Sequence, residues 1–154
     1  MLLFDPGLLL SRLYQPKKPI QKKYKVGIIP HYQDERIVRS KYGKNAHIIS
    51  MQTNDIERLA DEILSCEVII SSSLHGIIFA HSYGVPAYHC QITDLMKNGN
   101  FKFNDYYSSF DCGVEYKRFF ADKFGNLPIG QILEYDGLNR EKANPKMDEI
   151  KKKQ

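Results

Sequence analysis

Six consecutive residues, Ser71 to Gly76 (SSSLHG), combine the types needed to hold an anion and move a proton. They follow the apolar run Glu67–Ser71 (EVIIS) and open a second apolar stretch, so they read as a join from a buried strand into a helix. A helix start presents unpaired backbone N–H groups and a partial positive charge, and anions settle there. His75 falls in the first turn, where its imidazole can give or take a proton near neutral pH. Gly76 omits a side chain where a ligand would come close to the backbone. The same spacing also suits a plain Ser73 N-cap with His75 as an ordinary polar residue. No acid adjoins the Ser-x-His pair, so it is not a nucleophile–base system.

Two further clusters carry chemistry. His31 directly follows the run Tyr24–Ile29 and Pro30, again at the carboxyl end of a strand, and Asp34 is close enough in sequence to orient its ring. Lys102 and Asp105, three apart in KFNDYY, share a helix face: the lysine can neutralise an anion and the aspartate can hold a hydroxyl. An exposed intrahelical ion pair, worth little, fits that spacing as well. His81 stands six residues after His75, well round the helix, and is expected to be buried and hydrogen-bonded. His47 and His89 fall within strands and read as structural. No His/Cys cluster has metal-ligand spacing, and neither G-x-x-x-x-G-K nor G-x-G-x-x-G occurs.

The elements that must position these groups are short and alternate. Residues 1–14 give a turn at Asp5-Pro6-Gly7 and an apolar helical stretch from Leu8 to Tyr14. Gln15–Lys23, with two prolines and four lysines, reads as a linker. Strands are expected at Tyr24–Ile29, Ala46–Met51, Glu67–Ser71 and Pro86–Gln91, with a polar stretch over His31–Lys44. Helices are expected at Thr53–Ser65, whose Ile56, Leu59, Ala60, Ile63 and Leu64 share one face, and at Leu74–Tyr83, closed by Gly84. Asn54 with Glu57 resembles a capping pair for the first of these, and Asp55 suits its positive start. Beyond Gln91 the pattern supports a short helix over Lys102–Phe110, a loop over Gly125–Gly130 and a polar terminal helix over Arg140–Lys153. Strand, helix, strand, helix, strand with short joins is α/β: half of a doubly wound parallel sheet with helices on both faces.

At 154 residues and 42% hydrophobic, the chain has the size and apolar content of one domain and excludes disorder. Its net charge of +4 sits largely in Lys17–Lys25 and Lys151–Lys153, which is not a nucleic-acid stripe. Cys66, Cys90 and Cys112 form no C-x-x-C pair and leave an odd thiol, which suits a reduced, cytoplasmic setting. No apolar run approaches the ~20 residues of a membrane span.

Taken in order, IIPHYQD, VIISSSLHGIIFAHSYGVP and KFNDYY resemble the polysaccharide pyruvyl transferase family over roughly residues 24–110. The opening FDPGLLLSRLY is similar to a Gly-Asp-Pro segment that follows the family's first half, with Phe4 where a glycine is usual. The resemblance implies two Rossmann-like domains facing a cleft, as in GT-B glycosyltransferases. Residues 1–23 would then be inter-domain segment and linker, and 24–154 the C-terminal, donor-binding domain, with the N-terminal domain missing. It implies transfer of a pyruvyl group from phosphoenolpyruvate to a polysaccharide or lipid-linked sugar, with no cofactor, no metal and no nucleic-acid partner. His75 would be the catalytic acid. Ser73, Leu74, Gly76, His31, Asp34, Lys102 and Asp105 would hold the donor. Some members carry an arginine where this chain has Ser73, so a cation must come from Arg36, Lys102 or the missing domain. Two alternatives stay open: a nucleotide-sugar glycosyltransferase domain with Glu115 near the ribose, and a non-catalytic anion- or sugar-binding module.

Overall fold

Five short parallel strands form the centre of the molecule, which the computed structural model describes over residues 6–44, 46–93 and 100–154. They are β1 (Tyr24–Ile29), β2 (His47–Ile48), β3 (Cys66–Ser71), β4 (Ala87–Gln91) and β5 (Arg118–Phe120), in the sheet order β2-β1-β3-β4-β5. All pairings are parallel, and β1 and β3 run side by side from Tyr24↔Cys66 to Ile29↔Ser71. The chain steps outward from β1 to β2, then returns across β1 to β3 and continues the other way. Strand order therefore reverses between β1 and β3, which opens a crevice at their carboxyl ends.

Helices α1 (Leu10–Leu13), α2 (Glu35–Tyr42), α3 (Ile56–Leu64), α4 (Leu74–Ser82), α5 (Asn100–Ser108), α6 (Ile129–Ala143) and α7 (Met147–Lys153) flank the sheet. Alternate strand residues point to opposite faces. Ile29, Ile69 and Ala87 pack with α3, α4, α5 and α7 through Leu59, Ile63, Ile77, Phe103 and Ile150. Ile28, Val68, Ile70 and Phe119 pack with α2 and α6 through Val38 and Ile132. Coverage of both faces explains why β3 is almost wholly apolar, with Glu67 its one exposed residue.

Several boundaries depart from the sequence reading for local reasons. The start of α3 is capped by Asp55, whose Oδ1 accepts the Arg58 N–H at 3.0 Å, and not by an Asn54–Glu57 pair. The polar stretch His31–Lys44 contains α2, whose one fully buried residue is Val38; so thin an apolar face leaves little periodic signal. β5 is only three residues long, and α6 carries Gly130 and Gly137 within its span. The expected helix over Arg140–Lys153 is two helices, because Asn144-Pro145 interrupts it. The apolar stretch before the linker packs on the sheet domain: Leu8 is buried in the core, and Ser82 Oγ donates to Leu8 O while accepting Ser11 N–H. Gln154 Nε2 adds a bond to the same Leu8 carbonyl, so both ends of the described chain are tied to α4.

Two glycines predict opposite responses to alanine. A Cβ on Gly76 would meet Ser71 Oγ at 2.6 Å and Ile29 Cγ2 at 2.8 Å, both buried. Gly76→Ala is expected to destabilise by roughly 1–3 kcal/mol through overpacking. Gly137 lies mid-helix with open space around its missing Cβ, so Gly137→Ala should stabilise by about 0.5–1 kcal/mol. Urea unfolding midpoints check both signs.

Candidate functional site

The crevice between β1 and β3 is built by three serines. Ser71 Oγ lies 2.7 Å from Ile29 O and 2.8 Å from Ser73 O, and it accepts the Ser73 N–H at 2.9 Å. Ser72 Oγ accepts the His31 N–H at 2.8 Å, which clamps the end of β1 to the end of β3. Ser73 occupies the N-cap position with extended backbone, yet its side chain makes no capping bond. The plain-cap reading of Ser73 is therefore corrected: Ser71, at the end of β3, shapes the join.

Leu74 is half-buried and packs against the core beneath it, while His75 projects outward on the first turn of α4. Its closest ring neighbour is Phe79, 6.3 Å away, and among the described residues nothing hydrogen-bonds its imidazole. The missing side chain of Gly76 answers to packing on Ser71 and Ile29, which lets α4 start close above β1.

His31 sits across the crevice, half-buried. Its Nδ1 accepts the Gln33 N–H at 3.2 Å, which leaves Nε2 to carry the proton of the neutral ring. Burial pushes its pKa down, the Asp34 charge opposes that, and the Lys102 charge adds to it. The expectation that Asp34 orients His31 fails, because Asp34 turns inward. It is 1% exposed and its Oδ1 accepts from Thr93 Oγ1. Its Oδ2 is buried, with no hydrogen-bond partner among the described residues. Thr93 is thus a residue the sequence reading missed: a lone threonine just past β4 carries no signal of a contact to a residue 59 positions away.

Lys102 lies close enough to His31 for its charge to act on that ring, and α5, which carries both Lys102 and Asp105, is docked by a stack of rings. His89 on β4 lies parallel to Phe103 at 3.6 Å, and its Nδ1 meets Tyr116 Oη at 2.6 Å. Lys102 is exposed and Asp105 half-buried. Among the described residues neither forms an ion pair, so the expected Lys–Asp alternative is not what their spacing serves. Arg36, on α2, is exposed. Glu115 precedes β5 and bonds to Lys142 O and Tyr135 Oη, on the opposite edge from the crevice. It cannot meet a ribose bound there, which removes the acid that the nucleotide-sugar reading needed. Among the described residues no group of three or more His, Cys, Asp or Glu could hold a metal, and no helix is long and apolar enough to cross a membrane.

The family model for polysaccharide pyruvyl transferase matches residues 2–92, which contain β1 to β4 with His31, Asp34 and the SSSLHG join, and stop short of Thr93, Lys102 and Asp105. The chain belongs to the polysaccharide pyruvyl transferase family. An uncharacterized protein of Acanthamoeba polyphaga mimivirus is similar to this pyruvyl transferase homologue, with 34% identity over 143 residues. The match takes in 88% of the chain and 49% of the viral protein, so the chain spans about half the length of that relative. No solved structure matches it significantly.

His81 and His89 are buried in the packing of α4, α5 and β4 in this family member. His81 is buried, with Nδ1 at 2.8 Å from Tyr106 Oη and Nε2 at 3.1 Å from Asn144 Oδ1. Asn144 Oδ1 also accepts the Ala87 N–H, so His81 Nε2 is the donor and Nδ1 accepts from the tyrosine. Burial pushes His81 down to about 4; burial and then the Arg118 charge push His89 down to about 3. The unfolded chain, with histidine near 6.5, takes up protons first as pH falls. Stability should therefore drop with acidification from about pH 6.5 towards 4, by up to ~1.4 kcal/mol per pH unit for each ring. Urea midpoints at pH 7 and pH 5 should differ by that sign, and His89→Gln should flatten the dependence.

Proposed function

We propose that this chain is the donor-binding half of an enzyme that transfers the pyruvyl group of phosphoenolpyruvate to a sugar of a polysaccharide. One observation carries the reading. A free imidazole (His75), a second imidazole with Nε2 available (His31), a lysine (Lys102) and a helix start converge on the crevice where strand order reverses. Phosphoenolpyruvate carries a phosphate and a carboxylate, and such a ligand calls for backbone N–H groups and cations at close range.

The chemistry needs a general acid. Protonation of the donor's methylene carbon by His75 places positive charge on the adjacent carbon, which a sugar hydroxyl attacks through oxygen. Breaking the bond between that carbon and the phosphate oxygen releases phosphate, and a second hydroxyl closes the ketal. One proton enters the methyl group and two leave the hydroxyls, so the balance passes one to phosphate. In this scheme Lys102 offsets donor charge, His31 donates through Nε2, and the first turn of α4, from Leu74 to Gly76 beyond the Ser73 N-cap, supplies backbone N–H groups.

Calorimetric titration with phosphoenolpyruvate should show binding, weakened by Lys102→Ala and by His31→Ala. Binding of a uridine diphosphate sugar in its place would overturn the donor assignment. In a protein carrying both halves, His75→Asn should lower ketal formation by ~10²-fold or more, as loss of a proton donor does. An unchanged rate would remove His75 from that role.

A further inference from the structure

A second concavity opens on the same sheet edge, at the carboxyl ends of β4 and β5. It has a volume of about 430 Å³ and is lined by Ile37, Gln91, Thr93, Phe120 and Phe124, among others. That lies within the roughly 300–1,000 Å³ of small-ligand sites. Three large apolar side chains face it unburied: Ile37 is 42% exposed, Phe120 54% and Phe124 69%. Their exposure is held in place by the loop that carries them. Asp122 Oδ1 accepts the N–H groups of Phe124 and Asn126, Gly125 turns with φ +81, and Lys41 Nζ bonds Phe124 O. The loop is a tight turn that keeps Phe124 out of the core.

The cavity's polar groups are oriented too. Arg118 Nη1 donates to Gln91 Oε1 at 3.1 Å, which fixes the amide and leaves its NH₂ as a donor. Thr93 links this cavity to the crevice through its bond to Asp34, three residues from His31. Two exposed phenyl rings, Phe120 with the Arg118 guanidinium 4.7 Å from its centroid and Phe124 with Lys123 Nζ at 5.1 Å, have hydrogen-bonding groups at their margin and fit a ligand with one apolar C–H face and a rim of hydroxyls. That is the surface of a pyranose.

We infer that this cavity is a subsite for a pyranose unit of the acceptor glycan, seated on Phe120 and Phe124 and hydrogen-bonded by Gln91. The inference rests on the proposed function for the source of the sugar, and it sets the acceptor beside the donor crevice. Exposed phenylalanines can be removed without opening the core, so the variants will fold.

The test uses saturation-transfer NMR with methyl β-D-galactopyranoside and methyl β-D-glucopyranoside as probes. Transfer to the ring C–H protons of at least one glycoside is expected, reduced about fivefold or more in Phe120→Ala/Phe124→Ala, equivalent to ~1 kcal/mol. Gln91→Ala should weaken it without abolishing it. No transfer to either probe, or transfer undiminished in the double variant, overturns the inference. So does displacement of a bound glycoside by uridine diphosphate, which would make the cavity a nucleotide site. Phosphoenolpyruvate calorimetry on the double variant separates the two readings: unaltered donor binding with lost glycoside transfer supports the subsite. Absence of donor binding in the unsubstituted chain sinks the proposed function alone.

Discussion

Everything at the carboxyl edge depends on how closely α4 can begin above the ends of β1 and β3. Ser71 Oγ fills the angle between the Ile29 carbonyl and the Ser73 backbone, and Gly76 leaves room for it. A buried hydroxyl that satisfies backbone groups on both strand and helix avoids the cost of leaving them unpaired, of order 1–3 kcal/mol each. That contact stands where a side-chain cap would, so no side chain caps the first N–H groups of α4. The His75 ring is then left outside the packing while the backbone beneath it is rigid.

The second constraint is aromatic. Phe103, His89 and Tyr116 lie in nearly parallel planes, and Tyr106, Tyr107 and Phe110 meet edge to face. These contacts decide which face of α5 is buried, so they leave Lys102 exposed, near enough to His31 for its charge to lower that ring's pKa. On the opposite edge, Asn144 joins β4, α4 and α6 at once by bonding the Ala87 N–H, His81 and Tyr88 Oη. Tyr88 Oη in turn donates to Asp136, which Arg140 grips with two bonds. A buried polar network with its members paired holds a sheet end in register, whereas a partly paired one would cost stability.

The two edges of the sheet are thus divided in purpose. At the amino ends, polar groups are spent on one another, and the chain's first and last described segments are tied down over α4. At the carboxyl ends, imidazoles, a lysine and two phenyl rings are left without such closure. Open α/β sheets favour this arrangement because strand ends and helix starts meet there, and the first N–H groups of a helix have no partner within it.

What the amino-acid pattern determined is local. β1, β3 and β4 are legible in it as apolar runs, and α3 and α4 as amphipathic or closed by Gly84, because their signals lie within a single turn or strand. The SSSLHG join, the outward His75 and the structural nature of His81 and His89 follow from spacing and strand position. α2, β5 and α6 are not legible, since one buried valine, three residues and two interior glycines leave almost no periodic pattern. Tertiary structure alone decided that Ser71 and not Ser73 holds the join, that Asp34 turns away from His31 to Thr93, and that Phe120 and Phe124 share a cavity with Gln91. Those outcomes turn on which chain segments the fold brings together, and periodicity carries no information about which element will be the neighbour.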